Sequence, residues 1–290
     1  MRKFLSKILI LMTIPMLFVG CGKSTENDGD KLKVAVSISP LKEFTEIIGG
    51  DKVDIYTVVK ENMEPHDFDF SPSDKKALSD RKLFIYNGLG MEGWLDQVKE
   101  GNKDTKLIDA SKNGNIIVDN GVEDPHIWLS LKEATNECNN IKDALIEADP
   151  ENREYYEGNY NKYKQELDLL FNEYSQKLAS IKGKTFVTSH EAFAYLCRDY
   201  GLQQKAIKGI FDEEAETTFK DMESLANYCK SENIKIIFSE GSESQKDSDT
   251  LAKAINGKVV PIHTLETKVE GKSYIEAMKD NYEKIYAELK

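Results

Sequence analysis

The hydrophobic pattern sorts the chain into one unbroken apolar run and a long alternation of short strands and helices. The run, residues 8–19, follows the basic start Met-Arg-Lys-Phe-Leu-Ser-Lys. Beyond it, β-branched stretches at 33–39, 53–59, 83–86 and 106–109 read as strands, and so do 185–188, 204–207, 235–238 and 259–262. Helical periodicity falls at 40–48, 73–79, 191–200, 217–232, 248–255 and 274–289. Gly49-Gly50, Asn87-Gly88 and Gly201 close elements, and Ser71-Pro72 opens one. Strands alternating with helices predict βα units and mainly parallel sheets flanked by helices.

Between the two alternating halves lie residues 150–182. No glycine or proline interrupts 159–180, and Tyr163, Leu167, Leu170, Phe171, Tyr174 and Leu178 recur at helical steps, with Gly183 as the stop. A helix of about thirty residues would be about 45 Å long, which suits a rigid strut between two lobes better than packing within one domain. The fold expected is therefore α/β, with two lobes bridged by one long helix. Its divisions are 1–20 (signal segment), 21–31 (tether), 32–149 (first lobe), 150–182 (linking helix) and 183–290 (second lobe).

The N-terminal run is short for a bilayer span, but Arg2, Lys3 and Lys7 before it make it a signal peptide. It ends in Phe18-Val19-Gly20-Cys21, which resembles a bacterial lipobox, with Phe18 where Leu is usual. That implies lipidation of Cys21, extracytoplasmic anchoring at the cell membrane, and residues 23–31, which hold no apolar side chain, as a flexible tether. The formal charge of the whole chain is −12, and losing the three basic residues of the signal makes it −15. Such an acidic chain is a poor partner for nucleic acid. Cys138, Cys197 and Cys229 form no close-spaced pair and read as buried free thiols.

There are four histidines. Three share a context: Glu64-Pro65-His66-Asp67, Asp124-Pro125-His126-Ile127-Trp128 and Ser189-His190-Glu191. Each follows or interrupts a strand–helix alternation, where open α/β sheets present ligand groups. Proline before two of them fixes the backbone that presents the ring. Each has a carboxylate beside it, of the kind that orients a metal-bound imidazole. Singly, each is more simply a core or surface residue. Two in the first half and one in the second would converge only at a cleft between lobes. There, three nitrogens and one oxygen would suit a first-row divalent ion.

These motifs resemble the zinc/manganese solute-binding lipoproteins of bacterial ABC importers. The likeness runs through Glu64-Pro65-His66-Asp67-Phe68-Asp69-Phe70-Ser71-Pro72, Asn87-Gly88-Leu89-Gly90-Met91-Glu92-Gly93-Trp94, Asp124-Pro125-His126-Ile127-Trp128, Ser189-His190-Glu191-Ala192-Phe193 and Gly271-Lys272-Ser273-Tyr274. The resemblance implies a buried interlobe metal held by His66, His126 and His190. It also implies a fourth ligand, a carboxylate, after the last strand, where Glu266 matches and His263 or a water competes. Glu240 is read as structural. Residues 103–123 contain no histidine, so the His-rich loop of many zinc-specific members is missing. Three histidines with one carboxylate still favour Zn2+ as the transported ligand over Mn2+, the alternative, or iron.

The resemblance implies capture and delivery to a membrane permease and its ATPase by a monomeric, lipid-anchored receptor, without catalysis. Affinity is expected to fall below about pH 6, as imidazoles protonate. A secreted metallohydrolase is the rival reading, but the sequence has no His-Glu-x-x-His or Gly-x-Ser-x-Gly. Adhesion alone would leave the histidine motifs unexplained. A siderophore, haem or cobalamin cargo would call for aromatic or basic cleft walls.

Overall fold

The computed structural model describes residues 31–290, apart from 62, 102–103, 212–216 and 241–244. The expectations of a signal peptide at 1–20, a lipidated Cys21 and a tether from 21 lie outside the described residues, save Lys31. Among those described, no helix is long and apolar enough to cross a membrane.

The first half contains β1 (Leu32–Val36), α1 (Ser39–Gly49), β2 (Val53–Thr57), α2 (Pro72–Leu78), β3 (Leu83–Tyr86), α3 (Leu95–Gly101) and β4 (Lys106–Asp109). A small hairpin, β5 (Val118–Asp119) and β6 (Val122–Glu123), and α4 (Leu131–Ala148) follow. Then comes α5 (Arg153–Leu178). The second half contains β7 (Thr185–His190), α6 (Ala194–Tyr200), β8 (Gln203–Lys208), α7 (Phe219–Ser231), β9 (Ile236–Ser239), α8 (Gln245–Ala254), β10 (Lys258–Pro261) and α9 (Tyr274–Leu289).

The strands form two parallel four-stranded sheets, ordered β2-β1-β3-β4 and β10-β9-β7-β8. In both, the first strand in sequence lies between the second and third, and the fourth pairs outside the third. The two lobes thus repeat one topology, and each presents its strand ends as a platform for loops.

The linking helix spans 26 residues with a short 3-10 turn at each end (Pro150–Asn152 and Ala179–Ile181). At about 1.5 Å per residue it is about 39 Å long, somewhat shorter than the periodicity suggested. Gly183 takes φ +83°, the left-handed conformation that a stop requires. Tyr156, Tyr163, Leu167, Leu170, Tyr174 and Leu178 are its buried residues. It packs on α1 and α4 of the first half and on α9 of the second. One continuous core runs through both lobes beneath it, and a smaller cluster of Val187, Ala226, Cys229, Ile237, Leu251, Ala252 and Ile255 fills the outer layer of the second lobe.

Several elements depart from the periodicity, two of them at or near the long helix and the strand ends. The helix expected from residue 191 starts at Ala194, because β7 continues through Ser189 to His190, paired with Lys208 of β8. Helix α4, unpredicted, is the 18-residue partner of the linking helix. Cys138, Cys197 and Cys229 are buried free thiols.

Candidate metal centre

Four ligand-type side chains converge between the sheets, all from loops or strand ends on the carboxyl side of the strands. His66 follows β2, His126 follows the β5–β6 hairpin, His190 ends β7, and Glu266 follows β10. One donor atom from each lies within 4.8 Å of all the others. His126 Nε2 and His66 Nε2 are 3.2 Å apart, and Glu266 Oε1 is 2.9 Å from the first and 3.3 Å from the second. The His190 ring stands 4.9 Å from that of His126 and 5.7 Å from that of His66, centroid to centroid. The side chains of His66 and Glu266 are 3 % exposed, and His126 and His190 are fully buried.

Burying four polar groups is costly unless each finds a partner. The His126 segment solves this thoroughly. Asp124 Oδ1 accepts from the His126 backbone N–H at 2.9 Å and from the ring at Nδ1 at 2.7 Å, which aims Nε2 at the centre. Asn87 donates to the Pro125 carbonyl at 2.9 Å, and the buried Glu92 carboxylate in turn accepts the backbone N–H groups of Asn87 and Gly88. The second lobe grips the same segment. Tyr195 Oη donates to the Asp124 carbonyl at 2.6 Å, Trp128 Nε1 to the Thr264 carbonyl at 2.8 Å, and Tyr274 Oη to the Trp128 carbonyl at 2.5 Å.

The other side chains of the cluster are held differently. Glu64 accepts from the His66 backbone N–H at 3.2 Å, while the buried Nδ1 of the ring has no protein partner. His190 Nε2 pairs with the Ile210 carbonyl at 2.9 Å, leaving its Nδ1 as the buried, unpartnered ring atom. Glu191, adjacent in sequence, is not the group that orients it. Leu265, beside Glu266, is held at φ +61°, a conformation a leucine adopts only when its surroundings impose it. Trp128 holding Thr264 and the Glu61 carbonyl accepting from Lys268 N–H at 3.2 Å bracket that turn from the first lobe.

Burial works against a charge on His126, but the carboxylates of Asp124 and Glu266 outweigh it and raise its pKa to about 10. Burial likewise opposes the Glu266 anion, yet hydrogen bonding to His126 and His66 holds its carboxyl well below the usual range. Burial, then the positive charge on His126, lowers His190 to about 4. The metal-free centre is therefore a charged His126–Glu266 pair beside a neutral His190. An incoming cation would displace the His126 proton and meet an anion already formed.

Donors around a tetrahedral ion with bonds of about 2.0–2.1 Å stand about 3.3 Å apart. An octahedral shell of the same bond length sets adjacent donors about 2.9 Å apart. Separations of 2.9, 3.2 and 3.3 Å span both, so size admits a small divalent ion and donor chemistry selects among them.

Of the other candidates, His263 lies outside this group. Its Nε2 meets Asp280 at 3.1 Å, and Asn281 holds its backbone N–H at 3.0 Å and its carbonyl at 2.7 Å. The Glu240 backbone N–H donates to Ser189 Oγ at 3.3 Å, next to His190. The Ile210 carbonyl and Phe211, whose ring meets that of His66 edge-on at 5.5 Å, gave no signal in the sequence, one being main chain and the other a lone aromatic.

Residues 34–288 match the family model described as zinc-uptake complex component A, periplasmic. The chain is 33 % identical to the high-affinity zinc uptake system protein ZnuA of Bacillus subtilis, over 97 % of this chain and 96 % of the relative. It is 32 % identical to the manganese ABC transporter substrate-binding lipoprotein PsaA of Streptococcus anginosus, over 98 % of each. Among solved structures, the laminin-binding protein Lmb of Streptococcus agalactiae, described as an adhesin with metal-transporting activity, superposes with a TM-score of 0.84 at 30 % identity. That match covers 90 % of this chain and 100 % of the other.

Proposed function

The chain belongs to the family of zinc-uptake complex component A, the extracytoplasmic metal-binding components of ABC importers, and on that premise we propose that its cargo is Zn2+, held by His66, His126, His190 and Glu266. This is a family of solute-binding transport proteins, which work with a membrane permease and its ATPase, rather than of enzymes. The observation that carries the proposal is the convergence of three imidazoles and one carboxylate, buried, from both lobes. Three nitrogen donors and a single carboxylate suit zinc better than manganese, which prefers oxygen-rich shells. The relatives named for zinc support the same choice, and the one named for manganese keeps that ion as the alternative cargo.

In this reading residues 32–149 and 183–290 are the lobes that close on the ion, and 150–182 link them. The receptor acts as a monomer, tethered to the membrane through a lipid on Cys21, and hands the ion to the permease. His126 supplies Nε2, since Asp124 occupies Nδ1. Glu266 supplies the charge that neutralises part of the ion's own.

Elemental analysis of purified residues 24–290 tests this. The expected result is one zinc per chain after exposure to equimolar zinc and manganese, and none in the Ala variants of His66, His126 and His190. Manganese in that place would overturn the cargo. Stoichiometric metal in all three variants would overturn the ligands.

A further inference from the structure

Two contacts meet at Phe211, a residue with no ligand atom, and a third is made by its neighbour Ile210. Its ring stands edge-on to that of His66, 5.5 Å away at 90°. The His66 side chain is 3 % exposed while Phe211 is 37 % exposed, so the phenyl ring lies between the imidazole and solvent. On its other flank is Gly90 of the first lobe, with φ +85°, where a Cβ would come within 3.4 Å of Phe211 Cζ. Gly90 thus sets first-lobe main chain beside the ring, in a left-handed conformation that disfavours a side chain there. The preceding residue, Ile210, gives its carbonyl to His190 at 2.9 Å. One dipeptide of the second lobe thus orients one ligand through its main chain and covers another, from the first lobe, with its side chain.

We propose that Phe211 is the gate of the metal centre, setting how fast the ion enters and leaves without setting how tightly it is held. The inference rests on the reading that the four-residue cluster binds metal. A phenyl ring donates nothing to a cation held by nitrogen and oxygen, so its effect falls on access. It shields the His66 edge of the centre, and it swings clear when the contacts to His66 and Gly90 part. Those contacts are absent from the transition state for exchange in both directions, so removing the ring speeds capture and release together.

Rapid mixing of the zinc-loaded chain with excess chelator, and of the zinc-free chain with zinc, tests this on wild type, Phe211→Ala and Phe211→Tyr. Phe211→Ala is expected to accelerate uptake and release alike by about two- to tenfold, the rate equivalent of one lost aromatic edge contact. The dissociation constant stays unchanged, the zinc-free melting temperature falls by no more than about 2–6 °C, and Phe211→Tyr restores the wild-type rates. A merely structural role would instead weaken affinity without speeding uptake. If wild type binds zinc and Phe211→Ala exchanges at the wild-type rate, the gate is wrong and the metal site stands. Faster release without faster uptake also refutes it, since the ring would then stabilise the bound ion. A wild-type chain that holds no metal takes the gate down with the site.

Discussion

Two tripeptides of the same kind, Glu64-Pro65-His66 and Asp124-Pro125-His126, bring imidazoles to the same point and are held there in opposite ways. Asp124 folds back on its histidine and takes both the backbone N–H and ring Nδ1. Glu64 takes the backbone N–H of its histidine, and the His66 ring keeps a buried Nδ1 without a hydrogen-bond partner. The His126 segment is tied by Asn87 from its own lobe and by Tyr195, Trp128 and Tyr274 at the junction with the other. His66 lies at the rim under Phe211. The same sequence pattern thus yields a fixed, basic anchor in one place and a covered rim ligand in the other. What separates them is the tertiary partners each finds.

Deleting the two rings should separate these roles most sharply. His126→Ala leaves Asp124 and Glu266 buried without their cationic partner, and breaking a buried pair costs about 3–5 kcal/mol. Chemical denaturation of the metal-free protein at pH 7 should show a loss of that order for His126→Ala and a smaller one, about 1–2 kcal/mol, for His66→Ala, which takes only one hydrogen bond from the Glu266 carboxylate. The stabilising pair depends on pH with a definite sign. The folded pKa of His126, about 10, lies above its ordinary 6.5. Its contribution is therefore complete below about pH 6.5 and lost as pH rises through about 10. Equal losses for the two alanine variants would erase the distinction between anchor and rim.

A smaller effect comes from the carboxylates that precede the prolines. Asp124→Asn removes an outer partner of a metal-bound imidazole and should weaken zinc binding about 10- to 100-fold. Glu64→Gln, which leaves both ring nitrogens of His66 untouched, should weaken it less than Asp124→Asn does. Because wild-type His126 is protonated in the metal-free state at pH 7.5, zinc binding should release about one proton there. Affinity should go on rising with pH towards 10, by at most about tenfold per unit. Calorimetry in buffers of different ionisation heat measures that proton, and Asp124→Asn should reduce it. This moves the pH sensitivity upward from the histidine range expected from sequence, because Asp124 and Glu266 together raise one imidazole far above it.

Much of the fold was legible because the β-branched runs and the helical period are strong where one face is buried. Residues 83–86 and 106–109 and the terminal helix Tyr274–Leu289 fall where the pattern put them. Helix α4 was missed although Leu131, Ala134, Cys138, Ile141 and Leu145 keep a three- and four-residue step. Glu133 and Glu137 lie buried on the same helix and interrupt its apolar stripe. Helix α3 buries only Val98 and carries no period to read. Ser189 and His190 are poor strand formers, and their place in β7 comes from pairing with β8. At the centre, the histidines could be nominated from their neighbours and Glu266 from a resemblance. The pairing of His190 with a main-chain carbonyl twenty residues away could not be, since a carbonyl has no identity in a sequence.

X-ray absorption at the zinc edge of the zinc-loaded chain tests the central claim most directly. The expected spectrum shows four nitrogen or oxygen donors at about 2.0–2.1 Å, three of them with the outer-shell scattering of imidazole, and no sulfur. A sulfur shell near 2.3 Å, or fewer than three imidazoles, would contradict it.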